Sequence, residues 1–247
     1  MKFHAIFSTN DIEDAGIFDD AAVIMIDVLR ASTTVCAALF NGAKEIVACE
    51  TTDKAINYYN NIKNKKVYLL AGEKDAVPPQ GFQLGNSPYE FIPKIIKNKN
   101  IILATSNGTK IFERASEAVV KVVGAFVNVN SIVEYITSKI NLGIERVVTF
   151  CAGSNGHICV EDLLCAGLFI DNISANLKQS EFSDSAKIAR DFYYFNSDNI
   201  QNVIAACEHA NTLRKKGFIK DVILASTLNK FDIVPIIYEN STIRLRE

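Results

Sequence analysis

Val23-Ile24-Met25-Ile26-Asp27-Val28-Leu29-Arg30-Ala31-Ser32-Thr33-Thr34 places a strand, a charged turn and a helix start in direct succession. The apolar run ends on a carboxylate, which is costly to desolvate unless it is paired or holds a cation. Arg30 adds a planar donor fork suited to an oxyanion. The hydroxyls of Ser32, Thr33 and Thr34, with the free N–H groups of a helix start, favour an anion as well. The turn reads as built for an anion and a cation together. A plainer reading makes Asp27–Arg30 a local ion pair and Ser32 an ordinary N-cap. Two further turns of the same kind favour the site.

Working outward, short apolar runs rich in Val and Ile predict strands over 3–7, 22–26, 45–48, 66–71, 100–105, 118–123, 146–150 and 221–225. Most lack apolar/polar alternation, as strands covered on both faces do. Helical patterns fall between them, over 33–41, 53–63, 88–96, 108–115, 129–140, 159–176, 185–194 and 200–216. The alternation predicts a layered α/β/α fold with a largely parallel or mixed sheet. The chain reads as a single unit, or as two interlocked α/β subdomains with a boundary near 130 or 180. In open α/β sheets ligands collect at the carboxyl ends of strands, so the strand-ending turns are expected to converge.

With 247 residues, 49% of them apolar and 22% charged, the chain can bury a substantial core. A formal net charge of −2 argues against nucleic acid or an anionic membrane as partner. The opening MKFHAIFSTND lacks the pattern of a signal peptide, and no apolar run is long enough to span a bilayer. The expected location is the cytoplasm, and a homodimer is the default oligomeric expectation. The six cysteines form no CxxC pair, so neither a zinc site nor a disulfide framework is expected.

Thr105-Ser106-Asn107-Gly108-Thr109 follows the run IILA and offers three hydroxyls, an amide and a glycine. Successive N–H groups in such a turn can nest an anion, although turns use these residues anyway. Cys151-Ala152-Gly153-Ser154-Asn155-Gly156-His157 follows VVTF, with Glu161 and Asp162 just beyond. Gly153, Ser154, Asn155 and Gly156 suit close approach of an oxyanion. Adjacent acids in a first helical turn point in different directions: Glu161 is read as facing the site and Asp162 as complementing the helix dipole. Cys151 sits where a thiolate is stabilised, but the phosphatase loop CxxxxxR is absent, because position 158 is Ile. His157 is read as a bystander, and His4 and His209 as structural or exposed. Glu73 follows the run VYLLA as a metal ligand, a base or a partner of Lys74 or Arg30. After it comes a Pro/Gly-rich loop of a length that is often functional.

IDVLRASTT, GEK with the downstream GFQLGNSP, TSNGT, and CAGSNG followed by EDLLCAG resemble, in order, the motifs of the 2-phosphosulfolactate phosphatases, the ComB family. The closing DVILASTLNKFDIVP is similar to the family's last segment. The resemblance implies an unusual α/β fold and a magnesium-dependent phosphatase. The expected reaction converts (R)-2-phospho-3-sulfolactate to (R)-3-sulfolactate and phosphate, in a branch of coenzyme M biosynthesis. Within that reading Asp27, then Glu161 and Glu73, are the candidate Mg2+ ligands. Arg30 and the turns after residues 105 and 153 would hold the anionic groups of the substrate. Asp27 either holds the metal that activates a water or attacks phosphorus itself. The alternatives are a phosphatase for another small phosphorylated hydroxy acid, a non-catalytic binder of an anionic metabolite, and a purely structural protein.

Overall fold

All six residues of AAVIMI at Ala21–Ile26 are buried, and their alternation assigns them to two faces. Ala22, Ile24 and Ile26 pack into one apolar cluster with Ile132, Leu164 and Phe169. Ala21, Val23 and Met25 pack into another with Val35, Leu39, Leu103 and Phe150. A strand covered on both sides needs no polar face, so its sequence shows no polar alternation. The computed structural model describes residues 1–10, 15–74, 76–105, 115, 117–140 and 142–246.

The strands are β1 Lys2–Ile6, β2 Ala21–Ile26, β3 Glu45–Cys49, β4 Tyr68–Gly72, β5 Asn100–Ala104, β6 Val120–Gly124, β7 Arg146–Cys151, β8 Glu181–Phe182, β9 Pro235–Ile237 and β10 Thr242–Leu245. The helices are α1 Ala31–Phe40, α2 Thr52–Asn60, α3 Pro93–Ile96, α4 Val129–Ile140, α5 Val160–Ala175, α6 Asp184–Asn196, α7 Ile200–Ala206, α8 Glu208–Lys215 and α9 Ile219–Ala225. One mixed sheet runs β4-β5-β3-β10-β9-β6-β2-β7-β1-β8. Among the described residues no helix is long and apolar enough to cross a membrane.

Two parallel blocks, β4-β5-β3 and β6-β2-β7-β1-β8, are joined through the antiparallel strands β10 and β9. Three successive antiparallel joints reverse the chain direction between the blocks. In a flat sheet their carboxyl ends would lie at opposite edges. Here they meet: Asp27 and Ser32 after β2 line one small cavity with Ala48 of β3 and Leu103 and Thr105 at the end of β5. The sheet therefore coils at the β10–β9 joint, as strand twist accumulates. The joint is thin, with Val122↔Ile236 the single register pair between β6 and β9.

The α/β class and the largely parallel sheet are as expected. Residues 221–225 are not a strand but part of α9. A short apolar run does not distinguish a strand from a buried helix. Asp221, Val222 and Ala225 are buried while Ile223 is exposed, which is a helical period. β9 and β10 had no strong sequence signal, being three and four residues long with Pro235 opening β9. The helix expected over 88–96 is broken into a 3-10 turn at Pro88–Glu90 and the single turn of α3, because Pro93 disfavours helical geometry just before it. The helix expected over 200–216 is split at Cys207, whose backbone is extended and whose Sγ accepts from the Ala210 N–H. Most of the helix expected over 108–115 lies outside the described residues.

α5 and α6 pack closely at Gly167, where an added Cβ would lie 2.0 Å from the carbonyl oxygen of Ala189. That atom is backbone, so relief requires a helix to move. Gly167→Ala gains about 1 kcal/mol in helix propensity and loses about 1–3 kcal/mol to overpacking. The expected result is a lower urea midpoint at unchanged slope. An equal or higher midpoint would show slack between the two helices.

Candidate active site

Asp27 follows the last residue of β2, and its turn is tied from both sides. Its N–H donates to Ser32 Oγ at 2.9 Å, and its carbonyl accepts from the Ser32 N–H at 2.8 Å. Its Oδ1 accepts from the Ala31 N–H at 3.2 Å. The carboxylate therefore serves the amino end of α1, where Arg30 makes no side-chain cap. Thr33 donates to the Val28 carbonyl and Thr34 to that of Asn86. Thr33 and Thr34 thus hold backbone, and Ser32 holds its own turn.

Glu161 and Asp162 open α5 and diverge, as helical neighbours must. Asp162 points inward: Oδ1 accepts from the Val28 N–H at 2.8 Å and Oδ2 from the Gly153 N–H at 3.3 Å. One carboxylate so clasps the turns after β2 and β7. Gly153 has φ +62°, and a Cβ there would lie 2.4 Å from the His157 carbonyl oxygen. The same turn closes through reciprocal Ser154–His157 backbone hydrogen bonds, and Asn155 and Gly156 at its tip also have positive φ. Glu161 turns toward a cleft of about 520 Å³ lined also by Glu73, Ser154, Asn155, Cys159, His209 and Lys216. It is 1% exposed. Its Oε1 lies 3.3 Å from His209 Nδ1, an ion pair when the imidazole is protonated.

Arg30 is 2% exposed and lies beneath this cleft. Nη1 donates to Asp221 Oδ2 at 2.9 Å and Nη2 to Glu73 Oε2, while the guanidinium lies 4.6 Å from the Phe218 ring centroid. Ser87 Oγ donates to the other oxygen of Asp221 at 2.7 Å. Glu73 also lines a second cavity of about 330 Å³ with Glu50, Lys74 and Thr105. The small cavity beside Asp27, about 20 Å³, has room for a water but not for a metabolite. The larger cleft is therefore the candidate site.

Of the expected residues, Glu73, Ser154, Asn155 and Glu161 line the larger cleft, while Asp27, Ser32 and Thr105 line the small cavity. Arg30, expected to hold an anion, is instead buried against the carboxylates of Glu73 and Asp221. Asn107, Gly108 and Thr109 lie outside the described residues. Cys151 is buried, and burial together with the Asp162 charge pushes its thiol up. His157 is exposed on the cleft rim. Asp162, read from the sequence as complementing the helix dipole, instead clasps two turns, and no sequence signal marked Asp221, Cys159 or the placement of His209. None carries a local motif: Asp162 resembles any first-turn acid, and His209 reaches the cleft only because the chain breaks at Cys207.

Crowded carboxylates dominate the electrostatics. Burial first, then Glu73 and Glu161, push the Asp27 carboxyl up to about 6, against the pull of His209 and the Ala31 N–H. Burial, Glu161 and Asp27 raise Asp162 well above its ordinary range. Burial alone would lower His209, but Glu161, Asp27 and Glu73 outweigh it and the imidazole is raised. Such a cluster is stabilised by a bound cation. Asp27 and Glu161 offer the hard oxygens that Mg2+ takes in ones and twos.

A family model described as 2-phosphosulpholactate phosphatase matches residues 6–240. The chain is 34% identical over 226 residues to a protein of Caldanaerobacter subterraneus subsp. tengcongensis, covering 92% of this chain and 91% of that one. It is 36% identical over 213 residues to one from Thermotoga petrophila, covering 86% and 87%. It is 32% identical over 244 residues to one from Clostridium tetani, covering 99% and 100%. All three relatives are named probable 2-phosphosulfolactate phosphatase.

Two outcomes follow from the charges. Asp27 has an ordinary value of 3.8 and a folded value of about 6, so the folded state binds more protons between them. Its contribution to stability is complete below the lower value and lost as pH rises through the upper one, up to about 3 kcal/mol. In EDTA, the wild-type melting temperature should fall across that window and that of Asp27→Asn should not. Equal slopes would assign the dependence to another group. Arg30→Met strands two carboxylates and should cost about 3–5 kcal/mol in chemical denaturation. A loss below about 1 kcal/mol, the worth of an exposed pair, would show that the network is not buried in solution.

Proposed function

This chain belongs to the 2-phosphosulfolactate phosphatase family, a family of phosphoric monoester hydrolases, and from that premise we propose that the 520 Å³ cleft hydrolyses 2-phosphosulfolactate to sulfolactate and phosphate with Mg2+ as cofactor. The observation that carries the reading is that Glu73 and Glu161 line one cleft from separate segments, with Asp27 close enough to feel both charges, in a chain matched over residues 6–240. The substrate is read as the (R) enantiomer and the product as a coenzyme M precursor. The phosphorus–oxygen bond to the sulfolactate breaks, water supplies the new oxygen on phosphorus, and the leaving alkoxide takes up a proton.

Asp27 and Glu161 would hold the metal, with Glu73 beside them. When bound, Mg2+ supplies charge neutralisation on the phosphoryl oxygens and a polarised water. The protein's own groups do the rest. Lys216 presents a cationic group and His209 an imidazole in the cleft, and Ser154 and Asn155 present polar groups there, which suits a substrate with three anionic groups. Arg30 fixes Glu73 in place, while Ser32 and Ala31 fix Asp27. That preorganisation spares the reaction the cost of reorienting charges.

The test is phosphate release from racemic 2-phosphosulfolactate, with Mg2+ and with EDTA, beside other phosphorylated hydroxy acids. Metal-dependent release of at most half of the racemate is expected. Asp27→Asn should lower kcat by on the order of 10²-fold or more, the scale of losing one preorganised electrostatic group, while its circular dichroism stays that of the wild type. Preference for another phosphorylated acid would replace the substrate. Absence of release from every compound would overturn the reading.

A further inference from the structure

Cys159 immediately precedes α5, Glu161 lies in its first turn, and His209 lies in the first turn of α8. One ligand atom from each of the three lies within 4.8 Å of the others. We propose that Cys159, Glu161 and His209 form a site for a borderline divalent cation, Zn2+ or Co2+, which binds there in preference to Mg2+. The site is distinct in its donors from the all-oxygen set assigned to Mg2+ above and shares only Glu161 with it.

The argument rests on donor chemistry and on the convergence of three ligand atoms. Thiolate, imidazole and carboxylate together suit zinc-like ions, whereas Mg2+ is poorly served by sulfur and nitrogen. A tetrahedral ion with bonds of about 2.0–2.3 Å holds its ligands about 3.5 Å apart. Glu161 Oε1 and His209 Nδ1 are already 3.3 Å apart, and with every separation within 4.8 Å the remaining closure is within reach of side-chain rotation. Glu161 is 1% exposed and its Oε1 faces only the His209 imidazole at 3.3 Å, so a cation between the two would neutralise a buried carboxylate. The backbone already fixes two ligands: Cys159 and Glu161 belong to one helix start, and the Cys207 cap on the Ala210 N–H sets the start of α8. Three protein ligands facing a cleft leave the fourth position open to solvent or an anion. On binding, the Cys159 S–H bond breaks, the sulfur bonds the metal, and one proton passes to solvent.

The site stands on the cleft's side chains and does not require the phosphatase reading. The test uses the full-length protein, stripped of metal under reducing conditions and titrated with Co2+. A near-ultraviolet thiolate-to-cobalt charge-transfer band is expected, saturating at one equivalent. Zn2+ should bleach it stoichiometrically, and a large excess of Mg2+ should not. Cys159→Ser should lose the band, Cys207→Ser should keep it, and His209→Gln should need at least tenfold more Co2+ to reach half-saturation. Circular dichroism identifies any variant that fails to fold, and the wild-type titration decides without it. No band in the wild type overturns the site, as do a band that survives in folded Cys159→Ser and bleaching by Mg2+ at concentrations like those of Zn2+. Cobalt binding together with no phosphate release from any compound in Mg2+ would leave the site standing and reject the phosphatase reading alone.

Discussion

Arg30 lies where three segments remote in sequence meet, and its buried charge requires them to stay there. One side of the guanidinium holds Glu73 after β4, in the first parallel block. The other holds Asp221 in α9. Arg30 itself follows β2, in the second block. A buried cation without its carboxylates is far costlier than the pair. The network therefore opposes any drift of the two blocks apart at their carboxyl ends. It compensates for the thin β6–β9 pairing, which by itself is a weak seam in a long sheet. Ser87 completes the arrangement by donating to Asp221, so the long proline-containing loop is anchored to the same centre.

The clasp made by Asp162 is the second constraint. By accepting from the Val28 and Gly153 N–H groups, one carboxylate fixes the relative positions of two strand-ending turns. Ordering those turns brings Asp27, Glu73, Glu161 and Asp162 into one neighbourhood, where burial and mutual repulsion raise Asp27 and Asp162. The molecule gives up stability there to keep negative charge concentrated at a cleft. That trade is common where a fold must hold a cation or develop charge in a reaction.

Much of this was legible in the sequence because it depends on local pattern. Buried strands such as Ala21–Ile26 and Arg146–Cys151 announce themselves as unbroken apolar runs. The turn at Asp27 and the divergence of Glu161 from Asp162 follow from strand ends and helical geometry. The errors cluster in the C-terminal third. There α9 stands where the apolar run predicts a strand, β8, β9 and β10 carry no strand prediction, and Cys207 breaks the one long helix expected. In each case the deciding contact is remote: α9 is fixed by Arg30 against Asp221, and β10 pairs with β3 across nearly the whole chain.

What the sequence by itself determined is the α/β class, the strand-ending turns and the acidic and glycine-rich segments on them, because propensity, periodicity and turn chemistry act over a few residues. Only the tertiary structure decided that the two parallel blocks run in opposite directions yet bring their carboxyl ends together. It alone turned Arg30 toward two carboxylates, made Asp162 a clasp, and set His209 and Cys159 against Glu161. Those outcomes depend on coiling of the sheet and on desolvation of charges contributed by distant segments, and neither leaves a mark in any short window of sequence.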